Sequence, residues 1–144
     1  MEGAIFDCPA AWLTHLPAGV LGAESPAGVA GRRWDLLALT RRGCGALGRA
    51  ALSCRILLLP GDSQPPLRAE TVITYGLSPR DSLTLSSLTE PVLCVQRSLP
   101  RPAGAVVEPQ EFPLPGLPGA PEELLPLLGL RLLLMPLTGS PALW

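Results

Sequence analysis

The chain has 144 residues, 47% hydrophobic and 16% charged, which is typical of a globular protein and long enough to bury a core. Eleven basic residues against twelve acids give a net charge of −1, which argues against binding to nucleic acid or to an acidic membrane surface. All eleven basic residues are Arg and only one His is present, so a lysine Schiff base, a P-loop lysine and a multi-histidine metal site within one chain are excluded.

The four cysteines, Cys8, Cys44, Cys54 and Cys94, form no C-x-x-C pair, so neither a zinc ribbon nor a redox motif is indicated. An even number would allow two disulfides. The acidic start of the chain is unlike a signal peptide, however, and this favours a cytoplasmic protein with reduced thiols. The absence of Lys and Asn, with abundant Ala, Gly, Pro and Arg, is typical of a GC-rich genome.

In the first third of the chain, residues 4–7 predict a short strand, Ala10–Leu16 a helical turn and Pro17–Gly31 a loop. The segment from Arg33 has two interpretations. Its apolar residues fall approximately on one helical face, but a strand at Asp35–Leu39 followed by a helix at Gly43–Ser53 also fits.

The run Cys54–Leu59 is continuously apolar apart from one Arg and predicts a central strand that is buried on both faces. Gly61 and Asp62 follow this strand, at the position where open α/β sheets place ligand groups. Ser63–Leu67 contains two prolines and predicts a loop.

Residues 71–99 predict an antiparallel meander. Thr71–Tyr75 is rich in β-branched residues, Gly76–Asp81 has the residues of a turn, and Val92–Leu99 forms a further strand. In residues 82–86, hydroxyl residues alternate with leucines, which predicts a strand with one solvent-exposed face and one face toward the core. The exposed face would hold Ser82, Thr84 and Ser86, and the core face would hold Leu83 and Leu85.

In the last third, Val106–Leu114 predicts an edge strand or an ordered loop because prolines punctuate it. The sequence from Pro121 begins like a helix, with Pro126 as an interruption. Leu127–Leu137 predicts a packed helix or strand. The whole apolar run from Leu124 to Leu137 is too short for a bilayer, which needs about 20 residues.

The candidate binding residues are polar or charged side chains that follow strands or lie in turns. They are Asp62, Tyr75, Arg80, Asp81, Arg97, Glu108 and Glu111. Arg80 could grip an anion, although ordinary turn chemistry explains Ser78–Asp81 as well. Glu108 and Glu111 could divide acid and base roles, or simply lie solvated on an edge. Gln96 and Arg97 could reach Glu108 or Glu111, and a structural ion pair is expected there rather than a binding site.

Two further patterns have a structural and a functional interpretation. Six arginines make residues 32–55 locally basic: Arg32, Arg33, Arg41, Arg42, Arg49 and Arg55. A solvated face is the expected role, with a nucleic-acid patch as the alternative. Gly43, Gly45 and Gly48 have the spacing G-x-G-x-x-G, yet the acidic residue expected about 20 positions later is approximated only by Asp62 or Glu70.

The sequence Val72-Ile-Thr-Tyr-Gly-Leu-Ser-Pro79, followed by Asp81 and the alternating Ser, Thr and Leu, resembles the central domain of Mur-ligase-type proteins. Ile56-Leu-Leu-Leu-Pro-Gly-Asp62 is similar to the preceding strand and acidic loop, so the resemblance covers about residues 55–90. The chain has no G-x-x-G-K-[ST] motif for ATP and no Lys to be carbamylated. The resemblance therefore implies a truncated relative without ligase machinery.

Together these patterns predict a single domain over residues 1–144, of class α/β or α+β, with a mixed sheet of about five strands and two or three helices. The expected function is that of a small non-catalytic binding or scaffold protein. It would need no cofactor or metal, and it would act with a protein partner or as a homodimer through the Leu-rich C-terminal segment. The alternative is a small enzyme or ligand-binding domain that uses the acidic and arginine residues of the loops.

Overall fold

The structure, a computed structural model, describes residues 1–48, 52–63, 68–136 and 143–144. It has the expected mixed α/β class, but the described sheet contains eight strands rather than about five. The chain forms the strands β1 (Gly3–Phe6), β2 (Val20–Ala23), β3 (Arg33–Leu39), β4 (Ser53–Pro60), β5 (Arg68–Tyr75), β6 (Leu83–Ser87), β7 (Val92–Val95), β8 (Leu99–Pro100), β9 (Val106–Val107) and β10 (Gln110–Pro113). The helices are α1 (Arg41–Ala46) and α2 (Leu125–Leu134), with short 3-10 helices at Ala10–His15 and Pro26–Gly28.

The large sheet has the order β10-β7-β6-β5-β4-β3-β1-β2, and β8 pairs with β9 separately. The strands β2, β1, β3, β4 and β5 are all parallel, whereas β7 is antiparallel to both β6 and β10. β2 lies next to β1 at one edge of the sheet. The chain then crosses back over β1, and β3, β4 and β5 follow in order on the other side of β1. This reversal of direction leaves a crevice beyond the carboxyl ends of β1 and β3.

The hairpin expected in residues 71–99 is formed by β6 and β7, not by β5 and β6. β6 runs parallel to β5 and meets it only at the pair Tyr75 and Leu83. Turn residues and alternation predict that the chain bends, but they do not specify whether the following strand reverses. The expected solvent-exposed face is also wrong for Ser82 and Thr84, which are 3% and 8% exposed. Ser82 precedes β6 in the connection, where its N–H donates to the Thr74 hydroxyl at 3.2 Å.

α2 covers one face of the sheet. Eight of its ten residues are buried, among them Leu127, Leu128 and Leu130. The helix expected from Pro121 begins only at Leu125, because residues 121–124 form turns. Pro126 therefore does not interrupt the helix but lies in its first turn, where the missing N–H leaves no helical bond unmade. The expectation that the Leu-rich segment is a contact surface is therefore wrong for residues 125–134, because this chain buries them itself. Residues 137–142 lie outside the described part.

α1 and Val29 pack on the other face, around Trp34 and the apolar side chains of β3 and β4. The first interpretation of the segment from Arg33, a single helical face, is wrong. The second is confirmed for the strand. Its helix is shorter than the expected Gly43–Ser53, because α1 ends at Ala46, before Gly48 with its positive φ of 62°, and Ser53 already belongs to β4. Thr40 caps α1, since its Oγ1 accepts a hydrogen bond from the Gly43 N–H at 3.0 Å. Residues 49–51 of the expected helix lie outside the described ranges.

The expected loop at Pro17–Gly31 contains a strand, β2, and a 3-10 helix, Pro26–Gly28. β2 has only four residues, one of them Gly22, so no periodicity marked it. The predicted helical turn near Ala10, the strand at Cys54–Leu59 and the edge strand within Val106–Leu114 are confirmed. Residues 64–67 of the expected loop after Ser63 are outside the described ranges. None of the helices in the described ranges has the length and apolarity needed to cross a bilayer.

Candidate ligand-binding cleft

A cleft of about 1120 Å³ opens at the carboxyl edge of β1, β3 and β5. Its floor includes Thr40 and Tyr75, at the ends of two of these strands. One flank is formed by the 3-10 helix at Ala10–His15, and residues 118–120 and 122–126 lie over the opposite side. The cleft therefore coincides with the crevice where the strand order reverses, which is the usual ligand site of open α/β sheets.

Asp7 directly follows β1 and has a positive φ of 60°, a conformation that Asp tolerates better than most residues. Its backbone is held on both sides, because its N–H donates to the Ala23 carbonyl at 2.8 Å and its own carbonyl accepts from the Thr40 hydroxyl at 2.9 Å. Its carboxylate accepts two hydrogen bonds from Arg42, at 2.6 and 2.8 Å. These bonds lower the pKa of Asp7, so the carboxylate is charged near neutral pH.

Arg41 forms a second ion pair beside the cleft. Its Nη1 donates to both carboxylate oxygens of Asp62, at 2.8 and 2.7 Å, and the pKa of Asp62 is lowered mainly by this bond. Asp62 thus lies where the sequence placed it, just beyond β4 at the carboxyl edge. Both side chains are mostly exposed, so water screens the pair, which contributes little to stability and can exchange partners.

Tyr75 is the second candidate residue at the cleft, and its role in the structure is that of a hydrogen-bond donor. Its hydroxyl donates to the Leu39 carbonyl at 2.7 Å, which ties the end of β5 to the end of β3. Burial raises the pKa of this hydroxyl well above its ordinary value. The group is therefore neutral at physiological pH and is a poor general base.

An aromatic wall, formed by Trp12, His15 and Trp144, closes one side of the cleft. The rings of His15 and Trp144 lie 4.7 Å apart at an angle of 36°. Arg131 fixes this arrangement from α2. Its guanidinium carbon lies 5.0 Å from the centre of the Trp144 ring, and it donates to the carbonyls of Leu143 at 2.8 Å and His15 at 2.9 Å. The part of the wall formed by His15 and Trp144 is thus anchored before any ligand arrives.

The lining of the cleft also includes two glutamates with exposed side chains, Glu122 and Glu123. Across residues 1–48, 52–63, 68–136 and 143–144, no arginine lies within ion-pair distance of either glutamate. Arg41 and Arg42 are each already paired with an aspartate. Arg131 lies behind Trp144, donates to backbone carbonyls and is not part of the lining. The charged side chains of the lining itself therefore leave an excess of negative charge at Glu122 and Glu123.

Three of the other candidate residues stabilise the 76–82 connection and do not line the cleft. Asp81 is 5% exposed, and its Oδ2 accepts from the Ser78 N–H at 3.1 Å. Arg97 donates to the Arg80 carbonyl at 2.9 Å, and Gln96 donates to the Asp81 carbonyl at 2.6 Å. The expectation that Arg97 reaches a glutamate is wrong, because it bonds a backbone carbonyl on the neighbouring turn.

Glu108 and Glu111 also lie away from the cleft lining. Glu108 accepts a hydrogen bond from the Ser98 hydroxyl at 2.9 Å. Glu111 is exposed on the edge strand β10, opposite Cys94. The structure therefore divides the seven candidate residues among separate places, and only Asp62 and Tyr75 belong to the carboxyl edge with the cleft.

Of the three glycines in the glycine-rich motif, Gly43 has a packing role. Gly43 lies inside α1, and a Cβ there would be 2.6 Å from the Phe6 carbonyl oxygen, so this glycine lets α1 approach the end of β1 closely.

The described arginines of the basic segment are each paired with an acid. The pairs are Arg32 with Glu2, Arg33 with Glu70, Arg41 with Asp62, Arg42 with Asp7 and Arg55 with Asp35. Arg49 lies outside the described residues.

All four cysteines are free thiols. Burial raises the pKa of Cys8, Cys44 and Cys54, in the last case to about 11. These three groups are therefore protonated at neutral pH and are weak nucleophiles. Within the described ranges, no three His, Cys, Asp or Glu side chains come together as metal ligands do.

Sequence patterns missed most of the cleft. Asp7, Thr40 and the aromatic wall come from segments that are far apart in the chain, and their proximity depends on the lateral order of the strands. One usable signal was present. Asp7 and Thr40 each follow a short apolar run, as Asp62 does.

Comparisons of the chain with protein-family models, curated proteins and solved structures find no match.

Proposed function

We propose that the protein is a non-catalytic binding protein whose ligand is a small organic molecule held in the cleft at the carboxyl edge of β1, β3 and β5. The observation that carries this proposal is the position of the cleft, which coincides with the reversal of strand order beyond β1 and β3. Its volume of about 1120 Å³ is large enough for a small molecule, and three aromatic side chains line it.

The groups around the cleft favour binding over catalysis. Asp7 and Asp62 have lowered pKa values and are engaged by arginines, so neither is suited to transfer protons near neutral pH. The hydroxyl of Tyr75 has a raised pKa and already donates a hydrogen bond to the Leu39 carbonyl. These groups can position a ligand through charge and shape without taking part in a reaction.

The three tryptophans supply a direct test by NMR of the ¹⁵N-labelled protein. Trp12 and Trp144 line the cleft, whereas Trp34 is buried on the other face of the sheet. The indole N–H of Trp34 donates a hydrogen bond to the Val29 carbonyl. Titration with small aromatic fragments is expected to shift the indole signals of Trp12 and Trp144 and to leave that of Trp34 unchanged. Single Trp→Phe variants assign the three signals.

A cleft-filling variant provides the matched comparison. A Cβ added at Gly119, on the cleft rim, meets nothing within 4 Å, and the same is true of Gly45 on α1. Gly119→Phe is therefore expected to fold and to weaken fragment binding, while Gly45→Phe leaves binding unchanged. Equal binding by both variants, shifts centred on Trp34, or no shift of any indole would overturn the proposal.

A protein partner or homodimer is a second candidate, and the edge strand β2 is the observation that favours it. Among the described strands, β2 pairs only with β1. Leu21 in β2 is 45% exposed, and Leu13 in the 3-10 helix at Ala10–His15 is 53% exposed. An open strand edge can accept a strand from another chain. Light scattering across a hundredfold range of concentration tests the homodimer, and a constant monomer mass contradicts it.

Descent from a Mur-ligase central domain remains a proposal about ancestry. The resemblance in residues 55–90 would be that of a relative that kept part of the sheet and lost ATP-dependent chemistry. Binding without catalysis is the activity that such a relative could retain, which agrees with the proposed role of the cleft.

A further inference from the structure

We propose that the ligand of the cleft is an organic cation with a flat apolar body, whose positive charge lies near Glu122 and Glu123. This inference rests on the proposed binding function and adds the chemical class of the ligand. It follows from three features of the cleft: its net charge, its apolar surface and the availability of one aromatic ring.

The net charge of the lining decides the sign of the ligand. Arg41 and Arg42 are the basic side chains that the described lining contributes beside His15, and Asp62 and Asp7 neutralise them through short paired hydrogen bonds. Glu122 and Glu123 have no such partner in the described chain. An anion would have to displace an aspartate from an arginine and would still face both glutamates, whereas a cation meets two unpaired carboxylates at once.

The walls favour a cation that carries apolar surface over a small hydrated ion. Leu77, Leu124 and Pro126 contribute apolar atoms to the lining. Trp144 already carries the guanidinium of Arg131 on its ring, but no guanidinium stacks on Trp12 in the described part of the chain. The Trp12 ring can therefore hold a cationic head group or the flat body of a ligand, and this contact is stronger in a partly desolvated cleft.

Three probes of similar size and different charge test the inference: benzyltrimethylammonium, benzyl alcohol and phenylacetate. Each is titrated at low salt while the indole signals of Trp12, Trp34 and Trp144 are followed. The cation is expected to bind about three- to tenfold more tightly than the alcohol, and the carboxylate more weakly than both, since a favourable charge contact in a partly exposed site has this order of effect. Raising the salt to about 0.3 M is expected to reduce this preference, because screening acts on exposed charges.

The double variant Glu122→Gln with Glu123→Gln removes the charge and keeps the shape. It is expected to abolish the preference for the cation and to leave the affinity for benzyl alcohol unchanged. Glu111→Gln, on the distant edge strand β10, removes an exposed carboxylate elsewhere and should leave all three affinities unchanged.

The outcomes separate the two proposals. If the three probes bind alike at Trp12 and Trp144, or if the preference survives in the double variant, the inference of a cationic ligand is overturned and the binding cleft stands. If no probe shifts either indole, both the cationic ligand and the proposed binding function are overturned.

Discussion

Asp81 is buried between two glycines, and the space that it occupies exists because neither glycine has a side chain. A Cβ at Gly61 would lie 1.7 Å from Oδ1 of Asp81, and a Cβ at Gly76 would lie 2.5 Å from its Oδ2. Gly61→Ala is therefore expected to lower the free energy of unfolding by about 1–3 kcal/mol, the usual cost of overpacking, measured by urea denaturation.

Gly45→Ala is the matched control for this change. Gly45 lies in α1 with nothing within 4 Å of an added Cβ, so the same substitution should raise the free energy of unfolding by up to about 1 kcal/mol through helix propensity. If both variants have the stability of the parent chain, the packing of Asp81 against Gly61 is wrong.

The Asp7 carboxylate predicts a definite pH dependence. Its pKa is lower in the folded chain than in the unfolded chain because Arg42 bonds the charged form. Its stabilisation is therefore complete above the unfolded pKa, near 4, and is lost as the pH falls through the folded value. Asp7→Asn removes the charge but keeps a residue that tolerates a positive φ. The difference in the free energy of unfolding between the parent chain and this variant, measured by urea titration, should therefore decrease from pH 6 to pH 2.

Asp7→Ala separates the backbone from the charge at this position. Ala is strained at a φ of 60°, so this variant should be less stable than Asp7→Asn by about 1–2 kcal/mol at every pH. A gap between the parent and Asp7→Asn that does not change with pH would show that the Arg42 pair contributes nothing to stability.

Residue types alone placed Asp62 correctly, because a polar residue after a buried strand lies at the carboxyl edge of the sheet. The same reasoning could not distinguish a ligand-facing carboxylate from a structural one. Asp81 and Glu111 have similar local sequence contexts in turns and strand ends, but one is 5% exposed and the other lies open on the edge strand. Their neighbours across the sheet decide the difference.

Among the elements, α2 carries the clearest stability prediction. Leu130 is fully buried, and Leu88 in the β6–β7 turn is 54% exposed. Leu130→Ala should lower the free energy of unfolding by about 2–5 kcal/mol, whereas Leu88→Ala should change it by less than about 0.5 kcal/mol. If α2 were a contact surface instead, Leu130→Ala would alter the mass in solution and leave the stability of the monomer unchanged.

Strands with strong local patterns were predictable from sequence, and their pairing was not. The apolar run of β4 and the β-branched residues of β5 identify both strands. Nothing local distinguishes a parallel β6 from an antiparallel one, because the side chains alternate in the same way in both. β2 escaped detection because a four-residue edge strand has too few residues to show a period.

At the scale of the whole molecule, Cys54 reports on global unfolding. It lies in β4 inside the sheet, is 1% exposed and has a pKa raised to about 11. Iodoacetamide at pH 8 should leave Cys54 unmodified in the native protein and should alkylate it at a rate that rises with urea. Peptide mass spectrometry gives the modification of each cysteine separately. Rapid alkylation of Cys54 without denaturant would contradict its place inside the sheet.

The cleft is a property of the whole molecule, since it depends on the lateral order of the strands. β1 lies between β2 and β3 in the sheet, and this brings Asp7 beside Thr40 although 32 residues separate them in the sequence. The long-range order of strands is set by the packing of both sheet faces, and no short motif encodes it. Sequence analysis could therefore identify the sheet but not the aromatic wall or the rim of the cleft.

A crystallographic fragment screen would show directly whether this cleft binds small ligands. Bound fragments are expected to cluster between Trp12, Tyr75 and Leu77 at the carboxyl edge of β1, β3 and β5, and cationic fragments are expected to be enriched among them. An empty cleft, with fragments gathered at the β2 edge or elsewhere on the surface, would contradict this expectation.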